Sequence, residues 1–326
     1  MPMIDASDFV YVPYTRDLTE AGIAFALRSL PYSFGRERTA SYDRLRRLVT
    51  EGAVEIAFRR YLAERGIPFE VKGALPFHGH DRYDVTLAGR RCEIKSFLIS
   101  HQEQVSLVQC NPDLILKAPA LVASDQHAAE GSSPRDLYLF TFLMTPVMIS
   151  PRDRQNRVTA EQPRYLVHVM PEAWNRPSKW NPLGKLVLKS ESEEAQSVEI
   201  GGLDAERERR CLSVELPPRT RVEIEAGFFS LSHVHIQSPC PARIGIYSPS
   251  HRKMHLIGAR DWGNIWVHGK DILLAGYITR EEFSRRARFI PAGSRVFQYN
   301  HTQLKNLSVP VYELHPLSQL LEQVRI

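Results

Sequence analysis

His80-Asp81-Arg82-Tyr83-Asp84-Val85-Thr86-Leu87-Ala88-Gly89-Arg90-Arg91-Cys92-Glu93-Ile94-Lys95-Ser96 is the stretch on which the reading of this chain turns. Residues 83–87 and 91–97 alternate in polarity around Ala88-Gly89-Arg90, the pattern of two strands joined by a tight turn. Asp84 opens the first strand, while Glu93 and Lys95 stand two apart on the second. Side chains two apart on a strand share a face, so Glu93 and Lys95 point one way and Ile94 points the other way, toward the core. The turn brings Asp84 alongside them. Two carboxylates and an ammonium group on one patch match what phosphodiester hydrolysis demands. Carboxylate oxygens hold a hard cation such as Mg²⁺. The cation offsets the charge that develops on phosphorus and acidifies a bound water. A lysine beside it orients that water or stabilises the developing oxygen charge.

Upstream, the spacing predicts helices. One short helix is expected at residues 19–30 within a lead-in of residues 1–40. Ser41 is a candidate cap for a helix over residues 42–49. After Glu51-Gly52 a second helix is expected at residues 53–65, where Val54, Ala57, Phe58, Tyr61 and Leu62 recur at helical spacing and Gly66 suits the end. Downstream, a helix is expected over residues 113–122 and buried strands over 137–143 and 165–170. From residue 186 to 260 short alternating runs between Gly and Pro predict an antiparallel β module. Thr279 is placed to cap a helix with Glu281 and Glu282 in its first turn.

The spacing D-x8-E-x-K resembles the signature of the PD-(D/E)xK, or restriction-endonuclease-like, nuclease superfamily. Tyr83 stands where that signature has proline. The helix beginning Gly52-Ala53-Val54-Glu55 and running into Tyr61-Leu62 is similar to the helix that precedes the hairpin in many members. The runs after Lys95 and from Leu274 to Phe283 resemble the segments that complete such a core. The resemblance implies an α/β fold in which a mixed central sheet is flanked by helices. The nuclease core would span residues 41–185 and 261–326, and the β-rich insertion residues 186–260. It implies Glu55 as a further metal-site carboxylate, with Glu51 in reserve. The implied metal set is Asp84, Glu93, Glu55 and the backbone carbonyl of Ile94 around Mg²⁺, with Mn²⁺ as a substitute and Lys95 positioning the attacking water. A DNA endonuclease of restriction or defence type, leaving 5′-phosphates, is the function implied.

Other residues carry weaker signals. Arg44, Arg46, Arg47, Arg59 and Arg60 around the Glu55 helix, and Arg285, Arg286 and Arg288, could grip phosphates. His78 and His80 precede the hairpin, and Gln102 and Gln104 follow it as solvent-facing residues. Trp174, Trp180, Trp262 and Trp266 read as packing residues, and Phe228, Phe229 and Tyr247 as core of the insertion. A net charge of +5 permits an acidic polymer as partner without selecting one. Cys92, Cys110, Cys211 and Cys240 form no CxxC pair, and no histidine cluster has zinc-ligand spacing. They read as four reduced thiols packed as small hydrophobes, which points to the cytoplasm as a reducing compartment. The first residues lack a basic segment followed by an apolar run, so no signal peptide is expected. No stretch approaches about 18 consecutive apolar residues, so no membrane span is expected. Two other readings stay open: a non-catalytic nucleic-acid-binding or assembly protein, and a nuclease for RNA or DNA switched on by a ligand or partner. A homodimer or a protein partner through the β-rich insertion fits either.

Overall fold

The computed structural model describes residues 4–31, 41–71, 85–128, 132–145, 163–238 and 242–324. In chain order the main elements begin with β1 (Val10–Pro13), α1 (Arg16–Ser29), α2 (Ser41–Glu64), β2 (Val85–Leu87), β3 (Arg90–Ile99), α3 (Gln102–Cys110), β4 (Pro119–Ala123) and β5 (Leu137–Met144). The next run is β-rich: β6 (Leu166–Val169), β7 (Lys185–Ser190), β8 (Gln196–Leu203), β9 (Arg209–Leu216), β10 (Arg221–Glu225), β11 (Ser230–Ile236), β12 (Ile244–Ser248), β13 (Lys253–Ile257) and β14 (Gly263–Asn264). It closes with β15 (Asp271–Thr279), β16 (Arg288–Ile290) and β17 (Asn306–Pro310). Two compact units result, one of residues 1–23, 47–154 and 267–326, the other of residues 24–46 and 155–266. The architecture is mixed α/β with several sheets.

In the first unit a mixed sheet has the order β1-β15-β5-β3-β2. The β3–β5 pair is parallel, from Cys92 beside Leu137 to Ile99 beside Met144, and the other neighbours are antiparallel. Every residue of β5, Leu-Tyr-Leu-Phe-Thr-Phe-Leu-Met, is buried, as a strand covered on both faces requires. One face carries Phe97, Ile99, Tyr138, Phe140 and Phe142 into a core shared with Val105 and Val108 of α3 and Phe283. Leu121 and Val122 of β4 and Val309 of β17 join it from a small antiparallel sheet, β16-β17-β4. Thr279 ends β15 and caps the helix Arg280–Arg286 in a full capping box with Glu282, as its sequence predicts.

The second unit is two antiparallel sheets, β10-β7-β12-β13 and β14-β6-β11-β8-β9. Leu186, Leu188, Ile244 and Ile246 from the first share one core with Val198, Ile200, Val234 and Ile236 from the second. This is sandwich packing of two pleated faces. The β-rich fold begins at β6 and ends at β14, so it reaches beyond the 186–260 limits that composition suggests.

Three other expectations need correction. α2 runs unbroken through Gly52, because Val49, Ala53 and Val54 around it are fully buried. An interior glycine costs only about 1 kcal/mol relative to alanine. The predicted helix at 113–122 survives only as Asp113–Leu116, and β4 follows. Pro119 lacks an N–H and disfavours helical backbone at Ala118; it takes the first place of a strand instead. Tyr247 is 37% exposed rather than core, unlike Phe228. No helix of the described residues is long and apolar enough to cross a membrane.

α1 and α2 touch at Gly22, where a Cβ would lie 2.2 Å from the Val49 carbonyl oxygen. A backbone oxygen cannot swing aside as a side chain can. Gly22→Ala is therefore expected to destabilise the protein by about 1–3 kcal/mol. A urea midpoint equal to that of wild type would contradict this packing.

Candidate active site

Ala88 and Gly89 both take positive φ, 47° and 70°. Two successive left-handed residues make the turn that matches strand twist, so β2 and β3 pair tightly, with Leu87 opposite Arg90 and Val85 opposite Cys92. The hairpin predicted from the sequence is therefore present over residues 85–99. Asp84 lies one residue before Val85, outside the described residues, as do His78 and His80.

On β3 the alternation holds. Cys92 is fully buried on one face, while Glu93, Lys95, Phe97 and Ile99 share the other. That second face runs from a charged pair at one end into aromatic core at the other. Lys95 Nζ lies 2.7 Å from Glu93 Oε2, with the side chains only 15% and 18% exposed. It also donates to Gln126 Oε1 at 3.0 Å and sits 5.5 Å from the centre of the Tyr138 ring. Tyr138 is there because the parallel register pairs it with Glu93. Ile94, between the two charges, is half-buried and pairs with Leu139. Removing either charge would leave its partner desolvated and unpaired, the costly outcome for a half-buried ion pair.

Behind the pair stands a directional hydrogen-bond relay. Arg280 donates to the Tyr138 hydroxyl oxygen at 3.0 Å, so the phenol proton is free to point at His127 Nδ1, also 3.0 Å away. His127 Nε2 lies 2.9 Å from Ser284 Oγ, and that hydroxyl donates to the Arg280 carbonyl. The only consistent tautomer carries its proton on Nε2. Burial, then the Arg280 charge, holds His127 below the usual imidazole range. Burial, then the Glu93 carboxylate, pushes the Tyr138 phenol up. Both groups stay neutral at neutral pH. Arg280, His127, Gln126 and Tyr138 were invisible as site residues in the sequence. Only their fold neighbours, β5 and the capped helix, could be foreseen.

The other expected residues are placed as follows. Glu55 is on α2 and forms an ion pair with Arg59 one turn on. Burial raises the Glu55 carboxyl against the lowering effect of Arg59. No hydrogen bond or ion pair among the described residues joins Glu55 to Glu93 or Lys95. Arg60 pairs with Asp17. Arg285 is exposed and lies 4.0 Å from Glu281, a contact weak enough to exchange for phosphate, whereas exposed Arg286 is engaged by Glu282 at 3.7 Å and donates to the Glu313 carbonyl at 3.4 Å. Arg44 and Arg47 are half-buried on α2 and have partners of their own. Gln104, expected in solvent, instead donates to the Phe297 carbonyl at 2.9 Å. Trp174 and Trp262 are core residues of the β-rich unit, as expected.

Thiol packing follows the expectation only at Cys92; Cys110 and Cys211 are exposed, and Cys240 lies outside the described residues. Among the described residues the donors of Glu199, Cys211 and His233 form the one three-member group able to hold a metal. Their separation in sequence hides them from any spacing rule. Compared with family models, curated proteins and solved structures, the chain matches none.

The burial of neutral His127 has a pH consequence. Its folded pKa lies below the unfolded value of about 6.5, so the unfolded chain binds the proton first. The stability it contributes is present above the unfolded pKa and is lost as pH falls through it. In urea melts from pH 7.5 to 5.5, wild type is expected to lose more stability than His127→Gln. Parallel losses in both would refute the buried neutral imidazole.

Proposed function

We propose that the chain is a metal-dependent nuclease that hydrolyses DNA phosphodiesters on a restriction-endonuclease-like core. The observation that carries this reading is the Glu93–Lys95 pair. An acid and an amine two residues apart on β3, beside a β-hairpin turn, are half-buried and in contact at 2.7 Å.

The metal question can be put to the donors. Glu93 offers hard oxygens at the end of an apolar face, the chemistry a Mg²⁺ or Mn²⁺ ion requires. Asp84 is the second donor in the proposal, together with the carbonyl of Ile94. Glu55 is the further carboxylate in the proposal, with one of its oxygens engaged by Arg59. A bound ion would offset charge on the phosphoryl oxygens and acidify the attacking water. The protein's own contribution is positional. Glu93 and Gln126 hold the Lys95 ammonium in a fixed place, from which it can donate to a water or to a phosphate oxygen. Arg280, through Tyr138, fixes the floor beneath it. Preorganised donors of this kind need no rearrangement as charge develops. Exposed Arg285 and Arg286 supply cations for the backbone of a nucleic acid.

A second reading has one observation in its favour. Lys95 is engaged by both Glu93 and Gln126, an ion pair that would serve structure alone in a non-catalytic nucleic-acid-binding or assembly protein.

Nicking of supercoiled plasmid, with Mg²⁺ or Mn²⁺ supplied and then chelated, separates the two. Wild type is expected to cut only with metal. Lys95→Ala is expected to lose roughly 10²- to 10³-fold in rate, the effect typical of one preorganised donor. Asp84→Ala should not cut, yet should bind DNA as well as wild type or better. Normal cutting by either variant, or no cutting of DNA by wild type, would refute the assignment.

A further inference from the structure

The polar face of the second five-stranded sheet brings three dissimilar donors together. In the register of β11, β8 and β9, His233 lies beside Gly201, and Gly201 beside Cys211. Glu199 stands two residues before Gly201 on β8 and so shares that face. One ligand atom from each of Glu199, Cys211 and His233 falls within 4.8 Å of the others.

Three features shape this row for a ligand. A β-bulge interrupts the β11–β8 register between Leu231 and His233 and re-aims the side chains there. Gly201 has no side chain to obstruct the ring: a Cβ there would lie 2.1 Å from His233 Cε1. The imidazole is locked in one tautomer. Ser232 Oγ donates to the Gly201 carbonyl at 3.0 Å, so it must accept from His233 Nδ1–H at 2.9 Å. That leaves the lone pair on Nε2. This nitrogen is fully buried and has no hydrogen-bond partner among the described residues. A buried polar atom without a partner is costly, so its persistence calls for a reason.

We propose that Glu199, Cys211 and His233 bind a divalent transition ion of the zinc class through a carboxylate oxygen, a thiolate sulfur and imidazole Nε2. The donor chemistry selects this class over Mg²⁺ and Ca²⁺, which take oxygen ligands. The Ser232–His233 hydrogen bond is the outer-shell contact that orients metal-bound imidazoles. Tetrahedral Zn²⁺ with bonds of about 2.0–2.3 Å holds its donors about 3.5 Å apart, a spacing within reach of atoms that already lie within 4.8 Å of one another. Binding displaces the Cys211 proton to solvent. Burial keeps His233 neutral, its pKa pushed down to about 3, so no proton competes at that ligand. Cys211 is exposed, which leaves a fourth position on the solvent side for water or a substrate atom. The ion would tie β8, β9 and β11 together, so part of its binding energy becomes stability of the β-rich unit.

The test titrates chelator-treated full-length protein with Co²⁺ and then Zn²⁺. One thiolate-bound Co²⁺ per chain is expected, read from thiolate-to-cobalt charge-transfer absorption that Zn²⁺ abolishes and Mg²⁺ does not. Zn²⁺ should raise the Tm. Cys211 is exposed, so Cys211→Ser should fold; it should lose the charge-transfer band and bind Zn²⁺ at least tenfold more weakly. Glu199→Gln should also bind more weakly, whereas Cys110→Ser should match wild type. Absence of the band in wild type, or a band that survives Cys211→Ser, overturns the site.

Discussion

Parallel pairing of β3 with β5 is the constraint on which the first unit rests. A parallel ladder needs cover on both faces, and β5 is buried along its whole length. The register sets Glu93 against Tyr138 and Lys95 against Phe140. Slipping by one residue would send Glu93 and Lys95 to the opposite face and carry Phe97 and Ile99 out of their core. The hydrophobic half of β3 therefore holds the charged half in place. Core packing and site geometry are one specification.

Charge on that face is tolerable because it is compensated at every step. Glu93 answers Lys95, Gln126 takes another of its donors, and the Tyr138–His127–Ser284 relay ends on a backbone carbonyl. Thr279 and Glu282 satisfy the start of the helix that delivers Arg280 and Ser284. His315 and Arg286 in turn hold Glu282. The members of the network sit on β3 and β5, on the one-turn helix Ser124–His127 and on the capped helix Arg280–Arg286.

The local parts of this design were legible in the sequence. Period-two alternation gave Glu93 and Lys95 a common face, Ala-Gly marked the turn, and Thr279 with Glu282 marked a cap. Each depends on neighbours a few residues apart. What depends on distant pairing was not legible. Gln126 and His127 meet Lys95 and Tyr138 only through sheet register and helix placement. The Glu199, Cys211 and His233 row needs three strands and a bulge, and no spacing rule spans it. Pro119 was legible in principle, but apolar residues around it outweighed it in the helical reading of 113–122. Gly52 misled in the opposite sense, since burial of its neighbours carried α2 past it.

The place of β15 in the mixed sheet has a consequence for biosynthesis. It lies between β1 and β5, and Val10 of the first strand pairs with Leu274. A nascent chain leaving the ribosome exposes the partner edges of β1 and β5 while the entire β-rich unit is still being made. Closure waits for one late strand, which makes assembly dominated by non-local contacts and correspondingly slow. Until then the apolar run of β5 is open to the wrong partner. Yield in a cell should therefore track chaperone supply and growth temperature more than the stability of the finished fold.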